Sequence, residues 1–122
     1  MRRIFLIEDD VYLCAMLAKM LKFEGIDTII AHDGDAAKRI LEGLSGTIDA
    51  ILCDITMPGM DGYEFLEYAN RSKLAAVPFI FMSACVSKEE ESRGLTMGAR
   101  AFLKKPVSIT LILDTVYPPV KS

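Results

Sequence analysis

The chain predicts an α/β fold, an open and doubly wound parallel sheet of five strands with helices on both faces. Three observations carry that expectation. Short apolar runs recur along the chain without polar alternation, as strands buried on both faces do. A capped or amphipathic helical segment follows each run. The connections are short, and right-handed crossovers then keep consecutive strands parallel.

Size and composition bound the reading. At 122 residues the chain fits one domain over 1–122, its core spanning about 3–117. An apolar fraction of 52% and a charged fraction of 25% are ordinary for a globular protein. A net charge of −3 gives no sign of direct nucleic-acid binding. The apolar runs are too short to span a bilayer, and Met1-Arg2-Arg3 leads into a strand rather than a signal segment, so no membrane is expected. Cys14, Cys53 and Cys85 are odd in number and widely spaced. They read as buried thiols in a reducing cytoplasm.

Residues 4–7 form the first strand, which ends in Glu8, Asp9 and Asp10. Asp10 can cap the next helix, where the macrodipole favours acids. Three like charges at one strand end still repel, so a cation is expected there. Carboxylate and carbonyl oxygens suit magnesium or manganese better than zinc. Between Val11 and Phe23, the residues Leu13, Leu17, Met20 and Leu21 share one helical face with Cys14 beside them. Gly25 is a natural residue to end that helix. Residues 28–31 are the next strand, and His32, the only histidine, reads as a surface residue of the following loop. A helix over about 35–44 would bury Ala36, Ala37, Ile40, Leu41 and Leu44.

Residues 50–53 are four apolar residues in a row, and Asp54 stands where that strand leaves the core. Pro58, Gly59 and Gly62 turn the chain at once. Asp61 and Glu64 form a capping box for a helix over about 62–72 that carries Phe65, Leu66 and Ala69 inward. Residues 79–82 are the fourth strand and run into Ser83. Ser87 and Glu90 form a second capping box, opening an unusually polar helix over 87–97. Gly94 lies inside it at a cost of roughly 1 kcal/mol against alanine. Weak anchoring and mobility are therefore expected of this helix. Residues 101–104 are the fifth strand and lead into Lys105-Pro106. Ser108 can cap a last helix, which Pro118 and Pro119 terminate.

The polar groups then gather at the carboxyl ends of the strands. Glu8 and Asp9 end the first strand, Asp54 the third, Ser83 the fourth and Lys105 the fifth. In a flavodoxin-like strand order 2-1-3-4-5, the first and third strands flank the switch point where open sheets place their ligands. Acids, a hydroxyl and an ammonium would meet there.

Four stretches in this order resemble one family. They are Leu6-Ile7-Glu8-Asp9-Asp10, the run from Cys53 through Asp54 to Met57-Pro58-Gly59-Met60-Asp61-Gly62, then Met82-Ser83-Ala84, and finally the run from Gly98 through Phe102 to Lys105-Pro106. Each alone is weak, and together, each after an apolar strand, they are specific. Over about residues 4–116 the chain is similar to the receiver domain of two-component response regulators, chemotaxis-regulator-like in form. The resemblance implies that Asp54 is the phosphoacceptor. It implies that Glu8 and Asp9 hold Mg²⁺, with Asp54 and the backbone carbonyl of Thr56 as further ligands. Ser83 would meet a phosphoryl oxygen, Lys105 would be the family's strand-end lysine, and Phe102 its switch aromatic. Ser83 stands where threonine is frequent, and Phe102 where tyrosine is frequent. Phe102 offers no hydroxyl for a tyrosine-type switch bond.

The same resemblance implies a cytoplasmic signalling domain rather than an enzyme with a separate substrate. Its donor would be a sensor histidine kinase or a phosphotransfer protein, and its reader a downstream protein target or output domain. The chemistry is coherent: a carboxylate attacking a phosphoryl group needs cations around it, and Lys105, Ser83 and a divalent ion would supply stabilisation. An aspartyl-nucleophile phosphatase would want a second aspartate two residues after Asp54, where Thr56 stands. A flavodoxin-type cofactor binder would not place Glu8-Asp9-Asp10 in its phosphate loop. A receiver-like module that binds protein without being phosphorylated remains the alternative. In the last helix, over 108–117, Ile109, Ile112, Leu113 and Val116 can pack inward. Leu111 and Tyr117 would then face outward, a candidate surface for a partner or a homodimer.

Overall fold

The computed structural model describes residues 2–119. The strands are β1 (Arg2–Ile7), β2 (Ile26–Ala31), β3 (Ala50–Asp54), β4 (Phe79–Ser83) and β5 (Ala101–Lys104). The helices alternate with them as α1 (Val11–Phe23), α2 (Gly34–Glu42), α3 (Gly62–Asn70), α4 (Lys88–Thr96) and α5 (Ile109–Val116). All pairings are parallel, and the order is β2-β1-β3-β4-β5, as expected. The elements stand where the apolar runs put them. β1 and β2 begin two residues before the runs at 4–7 and 28–31, because sheet pairing carries Arg2 and Asp27 along with their apolar neighbours.

Successive strand residues feed two cores. Phe5, Ile7, Ile51, Cys53, Phe79 and Phe81 face α2 and α3. Ile4, Leu6, Ala50, Leu52, Ile80 and Met82 face α1 and α5. Phe81 is fully buried among Tyr63, Phe79 and Phe102. Truncating such a ring to alanine costs about 3–5 kcal/mol.

The caps follow the sequence. Asp10 Oδ1 accepts from the backbone N–H groups of Tyr12 and Leu13, both at 3.0 Å. Asp61 with Glu64 and Ser87 with Glu90 form complete capping boxes. Ser108 Oγ accepts from Leu111 N–H at 3.0 Å. Gly25 takes a φ of 77° just past α1, which glycine adopts without a Cβ penalty.

Three expectations are corrected. Met20 is exposed rather than inward, because the buried stripe of α1 is Cys14, Leu17 and Leu21, and Met20 falls on its rim. Cys85 is exposed, because it sits in the loop after β4, while Cys14 and Cys53 are buried. Tyr117 does not face outward. Its hydroxyl donates to Asp49 Oδ2 at 2.5 Å and the guanidinium of Arg2 lies 4.4 Å from its ring centroid, tying α5 to the amino end of β1. Ile112 and Val116 are buried as expected, and Leu111 is 45% exposed.

Candidate functional site

β1 and β3 lie side by side, with Ile7 paired to Cys53. Glu8 follows directly on β1 and Asp54 closes β3, paired to Met82 of β4, so the two carboxylates stand side by side at the carboxyl end of the sheet. Glu8 is fully buried and Asp54 is 8% exposed, the only buried charged residues among those described. Asp9 is exposed beside them. One carboxylate oxygen from each of Glu8, Asp9 and Asp54 lies within 4.8 Å of the others.

Lys105 reaches across from the end of β5. Its Nζ donates to Asp54 Oδ2 at 3.1 Å and to Glu8 Oε1 in a closer contact. Glu8 Oε2 also accepts from Asp10 N–H at 3.2 Å. Burial pulls the Lys105 ammonium down, but the hydrogen bonds and charges of Glu8 and Asp54 outweigh it and hold its pKa above the ordinary lysine value. The Asp9 carboxyl is also raised, first by its side-chain pairing with Glu8, then by burial and by the charge of Glu8. Formally, three carboxylates against one ammonium leave two negative charges in a small volume. The donor set is all oxygen and open on the Asp9 side, which fits a hard divalent cation such as Mg²⁺ or Mn²⁺.

Two groups sharpen the position of Glu8. Cys14 Sγ donates to the Glu8 carbonyl oxygen at 3.3 Å, and His32 Nδ1 lies 3.0 Å from the same oxygen. Gly62 lets α3 start tight against the site: a Cβ there would lie 2.5 Å from the Asp54 carbonyl oxygen and 2.9 Å from Phe81. Its own N–H donates to the Ile55 carbonyl at 2.8 Å. Thr56 is exposed in the bend just beyond β3.

The structure thus brings Glu8, Asp9, Asp54 and Lys105 together. Ser83 stands at the neighbouring strand end with its hydroxyl engaged elsewhere. It donates to the Cys85 carbonyl at 3.0 Å and accepts from Cys85 N–H at 3.3 Å. Phe102 is away from the acids. Its ring lies 5.1 Å from that of Phe81 and fits against Gly94 of α4. Sequence reasoning treated Gly94 only as a helix weakness. Nor did it find Tyr63, which is 4% exposed and bonded to α4 through its hydroxyl. Periodicity places Tyr63 in the core but cannot show where its hydroxyl points.

Comparison with known proteins settles the family. The model of the response regulator receiver domain matches residues 4–117. The chain belongs to that family. Receiver domains are signalling domains rather than enzymes acting on a separate substrate. The transcriptional regulatory protein CpxR of Escherichia coli is 35% identical over 106 residues, covering 87% of this chain and 44% of that protein. A Bacillus subtilis relative, the transcriptional regulatory protein YrkP, is 32% identical over 106 residues, with the same coverage of 87% and 44%. This receiver domain therefore spans about half the length of the curated relatives it matches. Among solved structures, the Vibrio cholerae chemotaxis protein CheY4 superposes with a TM-score of 0.86 at 26% identity, covering 95% of this chain and 96% of that one. The receiver domain of the Francisella response regulator 1452 gives 0.84 at 28% identity, covering 95% and 93%. No helix among the described residues is long and apolar enough to cross a membrane.

Proposed function

We propose that this receiver domain accepts a phosphoryl group on Asp54 and thereby switches a protein-binding surface. The observation that carries this is the placement of Lys105 Nζ between Asp54 and Glu8, at the mouth of an all-oxygen acidic cluster. The donor is a phosphohistidine of a sensor histidine kinase or phosphotransfer protein. A carboxylate oxygen of Asp54 attacks phosphorus, an O–P bond forms and the P–N bond breaks. The imidazole nitrogen keeps the electron pair. The product is an acyl phosphate; attack by water at the same phosphorus breaks the Asp54 O–P bond, releases inorganic phosphate and returns the carboxylate.

Lys105 Nζ can pass from the Asp54 carboxylate to the oxygens of the transferring phosphoryl group, over which the charge of the transition state is spread. Glu8, Asp9, Asp54 and the Thr56 carbonyl would hold a magnesium ion, which supplies charge neutralisation between nucleophile and phosphoryl group. Ser83 assists only if its hydroxyl leaves the Cys85 carbonyl for a phosphoryl oxygen. That exchange loosens the loop at Ala84, Cys85 and Val86. The loop shares with Glu91, Phe102 and Lys104 a cleft of about 240 Å³, into which Phe102 can move. The result is a population shift between two arrangements of α4 and β5.

Two surfaces suit the partners. Val11, Tyr12, Met16 and Phe23 are exposed on α1, which starts directly after the acids, so a donor at Asp54 meets an apolar ledge. Leu111 on α5 is the corresponding candidate for a downstream target, an output domain or a second copy. The setting is the cytoplasm, where such donors display their phosphohistidine.

Transfer from a phosphohistidine donor with Mg²⁺ present tests the reading. Label should appear on Asp54. A protein that stays unlabelled under every donor would be a receiver-like binding module instead.

A further inference from the structure

α4 has little of its own to hold it. Gly94 is its only buried residue, and Glu89, Glu90 and Glu91 fill its first turn. Even so, it is fastened from α3. Tyr63 Oη donates to the backbone carbonyl of Glu90 at 3.0 Å. The guanidinium of Arg93 lies 4.2 Å from the centroid of the Tyr63 ring. The ring itself rests on Phe81 at 5.1 Å between centroids. Tyr63 is also the residue after Gly62, which lies so close to the Asp54 carbonyl and to Phe81 that a Cβ there would collide with both. One side chain therefore links the turn behind Asp54 to α4, at Glu90 in its first turn and at Arg93 one turn on.

We propose that Tyr63 is a positioning residue of the switch, a clasp that holds α4 in its unphosphorylated place. It forms a second connection between the Asp54 turn and α4, separate from Ser83 and Phe102. The proposal rests on the phosphoacceptor reading above. Any shift of the Asp54–Gly62 turn moves the Tyr63 backbone with it, and the single hydroxyl bond to Glu90 is what α4 loses. A clasp that favours the unphosphorylated arrangement must, by linkage, weaken binding of anything that favours the other. A neutral hydrogen bond of this kind corresponds to a factor of about 2–10.

Tyr63→Phe tests this, because it removes the hydroxyl and keeps the ring on Phe81 and under Arg93. Two measurements are made on the full chain. Hydrogen exchange of α4 amides, without any phosphoryl mimic, should quicken about 2–10-fold while β1 and β3 amides keep their rates. Beryllofluoride, with Mg²⁺, should bind the variant about 2–10-fold more tightly than wild type. A structural role alone would not tighten that binding. Unchanged exchange in α4, or unchanged or weaker beryllofluoride affinity in a wild type that binds it, overturns the proposal. A wild type that takes no beryllofluoride overturns the phosphoacceptor reading, and the switching role of Tyr63 falls with it.

Discussion

Phe102 occupies the space that a side chain at Gly94 would need: a Cβ there would meet Phe102 Cζ at 2.2 Å and Cε1 at 2.8 Å. The glycine in the middle of α4 is a seat for the ring on β5, and the ring is pinned from below by Phe81. Gly94→Ala therefore carries two opposed effects. Helix propensity gains roughly 1 kcal/mol, and overpacking against the ring costs about 1–3 kcal/mol. In the wild-type background the substitution should destabilise by about 1 kcal/mol. In a Phe102→Ala background, with the ring gone, it should stabilise by about 1 kcal/mol. Urea unfolding of the four proteins checks the reversal, and the same sign in both backgrounds would contradict the seat.

Much of this architecture could be read from residues in order. Uninterrupted apolar runs at 50–53 and 79–82 gave buried parallel strands, and strand ends gave the cluster of Glu8, Asp9, Asp54 and Lys105. These are legible because strand direction and parallel order alone fix where a strand ends. Orientation at longer range was not legible. The Ser83 hydroxyl turns to Cys85, the Tyr117 hydroxyl to Asp49 and the Tyr63 hydroxyl to Glu90. Each bond depends on a neighbour brought near by folding, and no local pattern encodes it. Gly94 is similar: its cost is local and visible, while its compensation lies eight positions away on another element.

Asp9 is predicted to weaken the metal-free domain at neutral pH. Its folded pKa is raised, chiefly by pairing with Glu8, so its contribution is favourable below the ordinary aspartate value and is lost as pH rises through the raised one. Because Asp9 is exposed, solvent screens most of this. Asp9→Asn should raise Tm without Mg²⁺ by about 2 °C. It should also remove most of the Mg²⁺-induced rise seen in wild type. Thermal melts with and without Mg²⁺ decide, and an undiminished Mg²⁺ response would place the ion elsewhere.

The three thiols should differ sharply in reactivity. Burial first, and then the charges of Glu8, Asp10 and Asp9, push Cys14 up to about 11. Burial pushes Cys53 well above the ordinary thiol value. Cys85 is exposed. Iodoacetamide at neutral pH should modify Cys85 alone in the folded chain, and all three after denaturation. Peptide mapping that finds Cys14 or Cys53 alkylated in the folded protein would contradict this burial.

Leu111 is predicted to lie in an association surface of α5. Leu111→Lys should leave phosphorylation of Asp54 unchanged and weaken association of the beryllofluoride-loaded domain with a second copy or a partner by about tenfold. Sedimentation of wild type and variant, with and without beryllofluoride, measures it. Equal behaviour of the two proteins in every state would remove Leu111 from the interface.

Asp54 is the expected carrier of the phosphoryl group, with Lys105 Nζ 3.1 Å from its Oδ2. The direct measurement is intact and peptide mass of wild type and Asp54→Asn after incubation with acetyl phosphate and Mg²⁺. Wild type should gain one phosphoryl group, labile to hydroxylamine and mapping to the peptide that contains Asp54, and Asp54→Asn should gain none. A hydroxylamine-labile phosphoryl group that persists in Asp54→Asn, or a wild type that never gains one, would contradict the account.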